Sequence, residues 1–233
     1  GPGMFDRIKA HPKLAGYMSD PQYVQMMTML QQNPNMLQAF MKVLGSFFSW
    51  LSSPRPLVDR LLQLALDEDL ARGDVTSESI FTDDTELTTV FRPRQPLVVS
   101  GLGVVARLIE LSGADLRLET AVSEGDRVDA GTTLATLSGP AVQVLALERN
   151  CLNFLSHLSA VATFTRVCVE ALGEGRAHLV DTRKTTPGWR QLEKLAVRHG
   201  GGRNHRNDLG DGVMIKDNHI AAAGSLKRAV EAV

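Results

Sequence analysis

The 233-residue sequence has only two cysteines, no long apolar run and almost no net charge, and each of these shortages excludes a class of protein. Two cysteines cannot form a disulfide framework. Cys151 and Cys168 are typical of free thiols in a reducing compartment, so we expect a cytoplasmic protein. The longest uncharged run, residues 21–41, contains two prolines, five glutamines and two asparagines, so it is not a membrane span. No secretory signal is visible.

The charges almost cancel, with 25 Lys and Arg against 26 Asp and Glu, a net charge of −1. Proteins that bind nucleic acid gain most of their affinity by neutralising phosphates, so we expect no nucleic-acid partner. The hydrophobic fraction of 43% is large enough to build a folded core.

Methionine and charge are unevenly distributed, which divides the chain into two pieces. Seven of the eight methionines lie between Met4 and Met41. Residues 1–50 carry four basic and two acidic side chains, whereas residues 51–233 carry 21 and 24. The sequence WLSSPRP between the pieces has the Ser and Pro content of a linker. Gly-Pro-Gly at residues 1–3 has the composition of a cleaved expression tag and is set aside.

The first piece contains the signals of short amphipathic helices. A Ser-Asp-Pro sequence at residues 19–21 and an Asn-Pro pair at residues 33–34 each mark a helix start. Its Met-rich apolar stripe fits either a packed core or an adaptable groove for apolar ligands. The sequence IKAHPKLAGYMSDPQYVQMMTMLQQNP resembles the Asp-Pro-rich helical domain of the Hop/stress-inducible co-chaperone family. The resemblance implies a chaperone or a client peptide as a partner of residues 4–48.

The second piece predicts helices interleaved with short strands. Predicted helices lie at residues 57–66, 101–112 and 141–172, the last one long enough for two helices, and predicted strands at residues 85–99 and 116–138. The later strand segment resembles the hairpins of biotinyl and lipoyl carriers. It has no lysine between Arg117 and Gly139 to hold the prosthetic group, so it is interpreted as a structural β layer.

Two strand–loop–helix units follow. The apolar runs 177–180 and 212–215 each end in a polar loop, and helices are predicted at residues 189–199 and 225–233. In a parallel α/β barrel, such loops at the carboxyl ends of strands hold the active site. We therefore predict an α+β chain with an N-terminal helical segment, a mixed α/β sandwich layer and part of an open α/β barrel. The predicted divisions are a tag remnant at 1–3, helices at 4–50, an α/β domain at 51–140, and a helix with an incomplete barrel at 141–233.

Basic side chains are concentrated between residues 181 and 219, with eight Lys or Arg against five Asp or Glu. Three of them, Arg190, Lys194 and Arg198, are interpreted as a solvated helix face. Four others lie in loops beside Thr, Gly, Asn and His, namely Arg183, Lys184, Arg206 and Lys216. Converging arginines and lysines in loops predict a site for a small ligand with several negative charges, because guanidinium forks bind carboxylate or phosphate.

Three segments together carry a family resemblance. ERNCLNFLSHLSAVATFTR, DTRKTTPGWRQLEKLAVRHGGGRNHR and IKDNHI resemble quinolinate phosphoribosyltransferase, and EDLARGDVTSESIF and VSEGDRVDAGTTLATLSGPA match its N-terminal part in order. The resemblance covers roughly residues 55–233. It implies that quinolinate reacts with phosphoribosyl pyrophosphate to give nicotinate mononucleotide, pyrophosphate and carbon dioxide, a step of NAD biosynthesis that requires Mg²⁺.

The resemblance also implies roles for individual residues. Lys184 and Lys216 are the implied catalytic pair, which faces the sugar-phosphate side and stabilises the departing pyrophosphate. Substrate binding is implied for Arg149, Thr182, Arg183, Lys184, His205, Arg206 and Lys216. Arg149 is expected to reach across from a second subunit, so a homodimer formed through residues 141–172 is predicted.

No metal ligand is assigned, because the acidic Mg²⁺ ligands of the family are expected beyond Val233. Rival interpretations are nicotinate phosphoribosyltransferase, which does not decarboxylate, a paralogue linked to molybdate transport, and the doubly wound phosphoribosyltransferases. A chimeric or truncated chain without activity, whose helices bind a client or partner, is an alternative from a different functional class.

Overall fold

The computed structural model describes residues 56–82 and 84–233. The chain divides into two units, residues 1–54 and residues 55–233, and the described residues all belong to the second. The helices predicted for residues 4–50 lie outside the described residues.

The second unit is a mixed α/β structure in which helices alternate with short strands. Its helices are α1 (Pro56–Leu70), α2 (Val75–Ile80), α3 (Leu102–Ser112), α4 (Ala141–Leu172), α5 (Arg190–His199), α6 (Asp217–Ala223) and α7 (Leu226–Glu231). Its strands are β1 (Glu86–Phe91), β2 (Leu97–Val98), β3 (Arg117–Thr120), β4 (Arg127–Val128) and β5 (Ala135–Pro140). The helices predicted at 57–66, 101–112 and 189–199 are confirmed, and so is the β character of residues 85–99 and 116–138.

The strands form two small antiparallel sheets. One has the order β1-β5-β3 and the other pairs β2 with β4. Strand β1 aligns Phe91 with Ala135, and alternate residues of β1 and β5 are the more buried ones, including Phe91 and Leu137. This alternation gives the sheet one inner face, which packs against α4.

Helix α4 is the central element of the described unit. The sequence left open whether residues 141–172 form one helix or two, and the structure has one helix of 32 residues. Its buried residues recur at spacings of three and four, as in Leu147, Cys151, Phe154, Leu158 and Ala162. This stripe faces α3 and α5 as well as the strands, so α4 joins the β layer to the loops that follow it.

The two predicted barrel strands are wrong for the described residues. The run 177–180 makes a single parallel bridge, between Val180 and Arg203, and the run 212–215 pairs with no segment that the structure describes. A strand depends on hydrogen bonds to its neighbours, so an apolar run without a pairing segment does not become one. A further difference is α6, which begins immediately after Lys216 where a loop was predicted.

Candidate active site

Two polar loops begin next to each other in the structure. The backbone N–H of Arg203 donates to the carbonyl of Leu179 (2.8 Å), and the N–H of Asp181 donates to the carbonyl of Arg203 (3.0 Å). The two segments run parallel at this bridge, so the residues that follow each of them emerge at the same end. This geometry brings the Thr182–Lys184 loop beside His205 and Arg206.

Asp181 is the centre of the contacts between these loops. Its Oδ1 accepts hydrogen bonds from Lys194 Nζ (2.5 Å) and from the backbone N–H of His205 (2.8 Å), and its Oδ2 accepts one from Asn204 Nδ2 (2.6 Å). Lys194 Nζ also donates to the carbonyl of His205 (3.1 Å). The side chains of Lys194 and Asp181 are only 4% and 6% exposed.

The interpretation of Lys194 as part of a solvated helix face is therefore wrong. At about 100° per residue, Lys194 lies about 200° around α5 from the buried Leu192, on the side where a surface lysine is expected. The returning segment at residues 200–206 covers that side. One signal in the sequence was available: Asp181 stands at the end of an apolar run, where an acidic side chain needs a partner.

Arg190 also differs from its assignment to a solvated face. Its Nε donates to Thr185 Oγ1 (3.0 Å), and its Nη1 donates to the carbonyl of Asn207 (3.2 Å). The half-buried guanidinium thus links the loop before α5 to the loop after it. Arg198 is exposed, as predicted.

The predicted site residues in these two loops differ in burial and contacts. Arg183 is half-buried, and its Nε is buried without a hydrogen-bond partner in the described structure. Arg206 is half-buried and donates from Nη1 to the carbonyl of Gly212 (2.9 Å). Thr182, Lys184 and His205 are exposed, and Thr182 Oγ1 accepts from the backbone N–H of Lys184 (3.1 Å).

The other two predicted site residues lie on separate elements. Lys216 is exposed at the start of α6, where its backbone N–H donates to His219 Nδ1 (2.9 Å). Arg149 is exposed on α4 and lines a groove of about 880 Å³ together with β1 and the segment that follows it. The structure of the described residues therefore places five of the seven predicted residues on the two adjoining loops, with Lys216 at the start of α6 and Arg149 on α4.

A buried polar cluster fixes the position from which the second loop begins. His199 ends α5, and its Nδ1 lies 2.9 Å from Ser100 Oγ and 3.5 Å from Glu124 Oε2. Burial, helped by the charge of Arg198, lowers the pKa of His199 to about 4, and burial raises the pKa of Glu124. Glu124 also accepts backbone hydrogen bonds from Gly101 (2.9 Å) and Gly103 (3.0 Å) at the start of α3.

An aromatic stack holds the other end of α5. Trp189 stacks on Phe154 of α4 with ring centroids 4.6 Å apart and planes 20° apart, and the ring of His157 meets it edge-on at 4.8 Å. At the C-terminal end of α5, Arg166 of α4 donates from Nε to the carbonyl of Gly200 (3.0 Å). Helix α5 is thus held against α4 at both ends, and the two loops extend from this helix pair.

Two features are absent from the described residues. Between residues 56 and 233, Asp83 apart, no group of three or more His, Cys, Asp or Glu side chains is arranged to hold a metal ion. Over the same part of the chain, no helix has both the length and the apolar character needed to cross a bilayer.

Comparison with protein families gives three matches. The quinolinate phosphoribosyl transferase N-terminal domain matches residues 74–159, and the C-terminal domain of the same family matches residues 161–233. The DP domain of STI1/HOP matches residues 1–42.

Individual relatives agree with the family matches. A probable nicotinate-nucleotide pyrophosphorylase (carboxylating) from Synechocystis is 40% identical over 178 residues, which are 76% of this chain and 60% of the relative. The Mycobacterium leprae enzyme of that name is 42% identical over 175 residues, 74% of this chain and 62% of the relative. The crystal structure of NadC from Streptococcus pyogenes is 39% identical, with a TM-score of 0.72 over 78% of this chain and 65% of NadC.

The chain thus spans about three fifths of the length of these curated relatives. The two domain matches follow one another in the order that the sequence motifs have. From residue 74 to residue 233, the chain belongs to the quinolinate phosphoribosyl transferase family.

Proposed function

We propose that residues 55–233 bind quinolinate and phosphoribosyl pyrophosphate as part of a decarboxylating phosphoribosyltransferase that forms nicotinate mononucleotide in NAD biosynthesis. The observation that carries this proposal is the state of Arg183. Its Nε is buried and has no hydrogen-bond partner among the described residues. A buried guanidinium N–H without a partner is costly, so a ligand carboxylate would satisfy it once the loop moves to uncover this atom, and the half-buried Arg183 side chain lies where such a ligand would enter.

Quinolinate carries two adjacent carboxylates, which matches the two arginines on neighbouring loops. Arg183 would bind one carboxylate and Arg206 the other, and the exposed His205 and Thr182 would supply further hydrogen bonds. The contact of Arg206 with the carbonyl of Gly212 uses one Nη1 donor and leaves the other donors of that fork for a ligand. This pairing favours a dicarboxylate over nicotinate, which has a single carboxylate.

Lys184 and Lys216 have the chemistry to act on the sugar-phosphate side. The pyridine nitrogen forms a bond to the ribosyl carbon as the bond from that carbon to pyrophosphate breaks. Positive charge develops on the ribose and negative charge on the leaving group, so fixed ammonium groups stabilise the transition state by electrostatics and positioning. The quaternised ring then accepts the electron pair released with carbon dioxide, and a proton replaces the lost carboxylate.

We further propose that the site is completed in a homodimer. Arg149 lies on α4 and lines a groove whose wall includes Phe164 and Val167. These two apolar side chains are 71% and 55% exposed. An apolar surface of this kind next to an unpaired arginine fits an interface through which Arg149 reaches the partner's site.

The wider architecture and conditions are part of the same proposal. Residues 141–233 would contribute a helix and part of an open α/β barrel, in which the runs 177–180 and 212–215 would become strands only by pairing with further segments. Residues 51–140 would form the α/β sandwich layer, and the protein would act in the cytoplasm. Mg²⁺ would accompany phosphoribosyl pyrophosphate. The described residues contain no cluster of His, Cys, Asp or Glu side chains that fits the ion.

A second candidate function concerns residues 1–42, which match the DP domain of STI1/HOP. We propose that this segment binds an apolar client peptide or a chaperone. A pull-down with residues 1–50 as bait tests this function separately, and the absence of bound chaperone or peptide would remove it.

Calorimetric titration of quinolinate into the whole chain tests the main proposal, with nicotinate as the comparison ligand. Wild type is expected to bind quinolinate more tightly than nicotinate. Arg183→Ala should abolish quinolinate binding, whereas Arg117→Ala, an exposed arginine on β3, should leave it unchanged. Equal weak binding by all three proteins would contradict the proposal. A parallel turnover assay with phosphoribosyl pyrophosphate and Mg²⁺ separates binding from catalysis.

A further inference from the structure

Asp181 and Lys194 belong to a closed set of buried hydrogen bonds. An ion pair on the surface would not require such a set. Lys194 Nζ joins Asp181 to the carbonyl of His205, and Asn204 Nδ2 joins Asp181 to the carbonyl of Lys194 (2.8 Å). The N–H of His205 closes the set on Asp181. Three pieces of chain are thereby fixed to one another: the end of the first apolar run, helix α5 and the loop that carries Arg206.

We propose that Lys194 is a positioning residue of the anion site, which acts through Asp181 by fixing the two loops and by cancelling the carboxylate charge between them. This inference rests on the proposed binding of quinolinate. Arg183 follows Asp181 by two residues and Arg206 follows His205 by one, so any shift of Asp181 or His205 moves a guanidinium.

The electrostatic part of the argument follows from burial. Both side chains are more than nine-tenths buried, so their charges are weakly screened. Without the ammonium group, the Asp181 carboxylate would remain as an uncompensated negative charge beside a site for a dianion. It would repel the ligand and compete for Arg183 or Lys184. With the ion pair intact, the ligand meets only the positive charges of the loops.

A purely structural role makes a different prediction. If the pair served stability alone, its loss would weaken binding only as far as it lowered the folded fraction. Any other core substitution that lowers the free energy of unfolding by the same amount would then weaken quinolinate binding equally. Leu108 on α3 is fully buried and lies in a different element, so Leu108→Ala is the matched control.

The experiment compares four whole-chain variants by quinolinate calorimetry at a temperature where circular dichroism shows each to be folded. Lys194→Met should weaken affinity about 30-fold, which corresponds to about 2 kcal/mol. The neutral pair Asp181→Asn/Lys194→Met should recover about tenfold of that loss, because no unpaired charge remains. Leu108→Ala should change affinity less than about threefold despite a comparable fall in melting temperature. Asn204→Ala, which spares the ion pair, should weaken affinity about threefold to tenfold.

The results that would overturn the proposal are equally specific. They are wild-type affinity in Lys194→Met, a double variant as weak as Lys194→Met, or an equal loss in Leu108→Ala. If Lys194→Met does not fold, unchanged affinity in Asn204→Ala overturns it.

Hydrogen–deuterium exchange separates failure of this inference from failure of the proposed function. Lys194→Met should speed exchange in peptides covering residues 181–185 and 203–207, and Leu108→Ala should not. If wild type does not bind quinolinate, the proposed function fails and the exchange result alone decides whether Lys194 positions the loops. Unchanged exchange in both peptides would show that it does not.

Discussion

A Cβ atom on Gly200 would overlap the carbonyl oxygen of Ala162 and lie only 2.5 Å from the Cβ of Thr165. The end of α5 therefore meets α4 at a distance that only glycine permits. The φ angle of Gly200 is −71°, which any residue can adopt, so the requirement is for space and not for backbone freedom. The same contact sets where the loop with His205 and Arg206 begins.

We expect Gly200→Ala to lower the free energy of unfolding by about 1–3 kcal/mol, because the added methyl group overpacks the α4–α5 contact. Urea denaturation of the whole chain measures this change. Gly175→Ala is the matched control: its Cβ would meet no atom within 4 Å, so its effect should stay within about 0.5 kcal/mol. Equal effects of the two substitutions would contradict the packing argument.

Arg206→Ala should weaken quinolinate binding by about 3 kcal/mol or more, because it leaves a ligand carboxylate without its charged partner. Calorimetry against Arg117→Ala tests this. Nicotinate affinity should fall less than quinolinate affinity, since one of the two carboxylates is absent from nicotinate. Unchanged quinolinate affinity would remove Arg206 from the site.

The sequence was sufficient for features that depend on local pattern. The apolar period of α4 and the loop positions of Arg183 and Arg206 follow from neighbouring residues alone. Lys194 could not be placed in the same way, because a helical wheel puts it opposite Leu192 and only the return of residues 200–206 buries it. The strand predicted at residues 212–215 is absent for a related reason, since strand formation depends on a pairing segment and not on apolar composition alone.

The proposed dimer makes a prediction about mass. We expect sedimentation equilibrium to give twice the chain mass for wild type and a single chain mass for Phe164→Glu, because a charge placed on the exposed apolar face of α4 disfavours its burial. Arg149→Ala should weaken quinolinate binding within an intact dimer. Glu174→Lys, an exposed charge change beyond the end of α4, should alter neither property. A strictly monomeric wild type would remove Arg149 from the site.

His199 should make stability depend on pH. In the folded protein burial lowers its pKa to about 4, whereas the unfolded chain keeps a value near 6.5, so the unfolded state binds more protons between these limits. Stability from this group is present above about pH 6.5 and is lost as the pH falls towards 4, by about 2 kcal/mol between pH 7 and pH 5.

Glu124, whose pKa is raised, acts in the opposite direction, so the comparison needed is wild type against His199→Gln. Urea denaturation at pH 7 and pH 5 should show the variant losing about 2 kcal/mol less than wild type, and the exposed control His178→Gln losing as much as wild type. Identical pH dependence of wild type and His199→Gln would mean that the fold does not lower the pKa of His199, which would contradict the burial of its ring between Ser100 and Glu124.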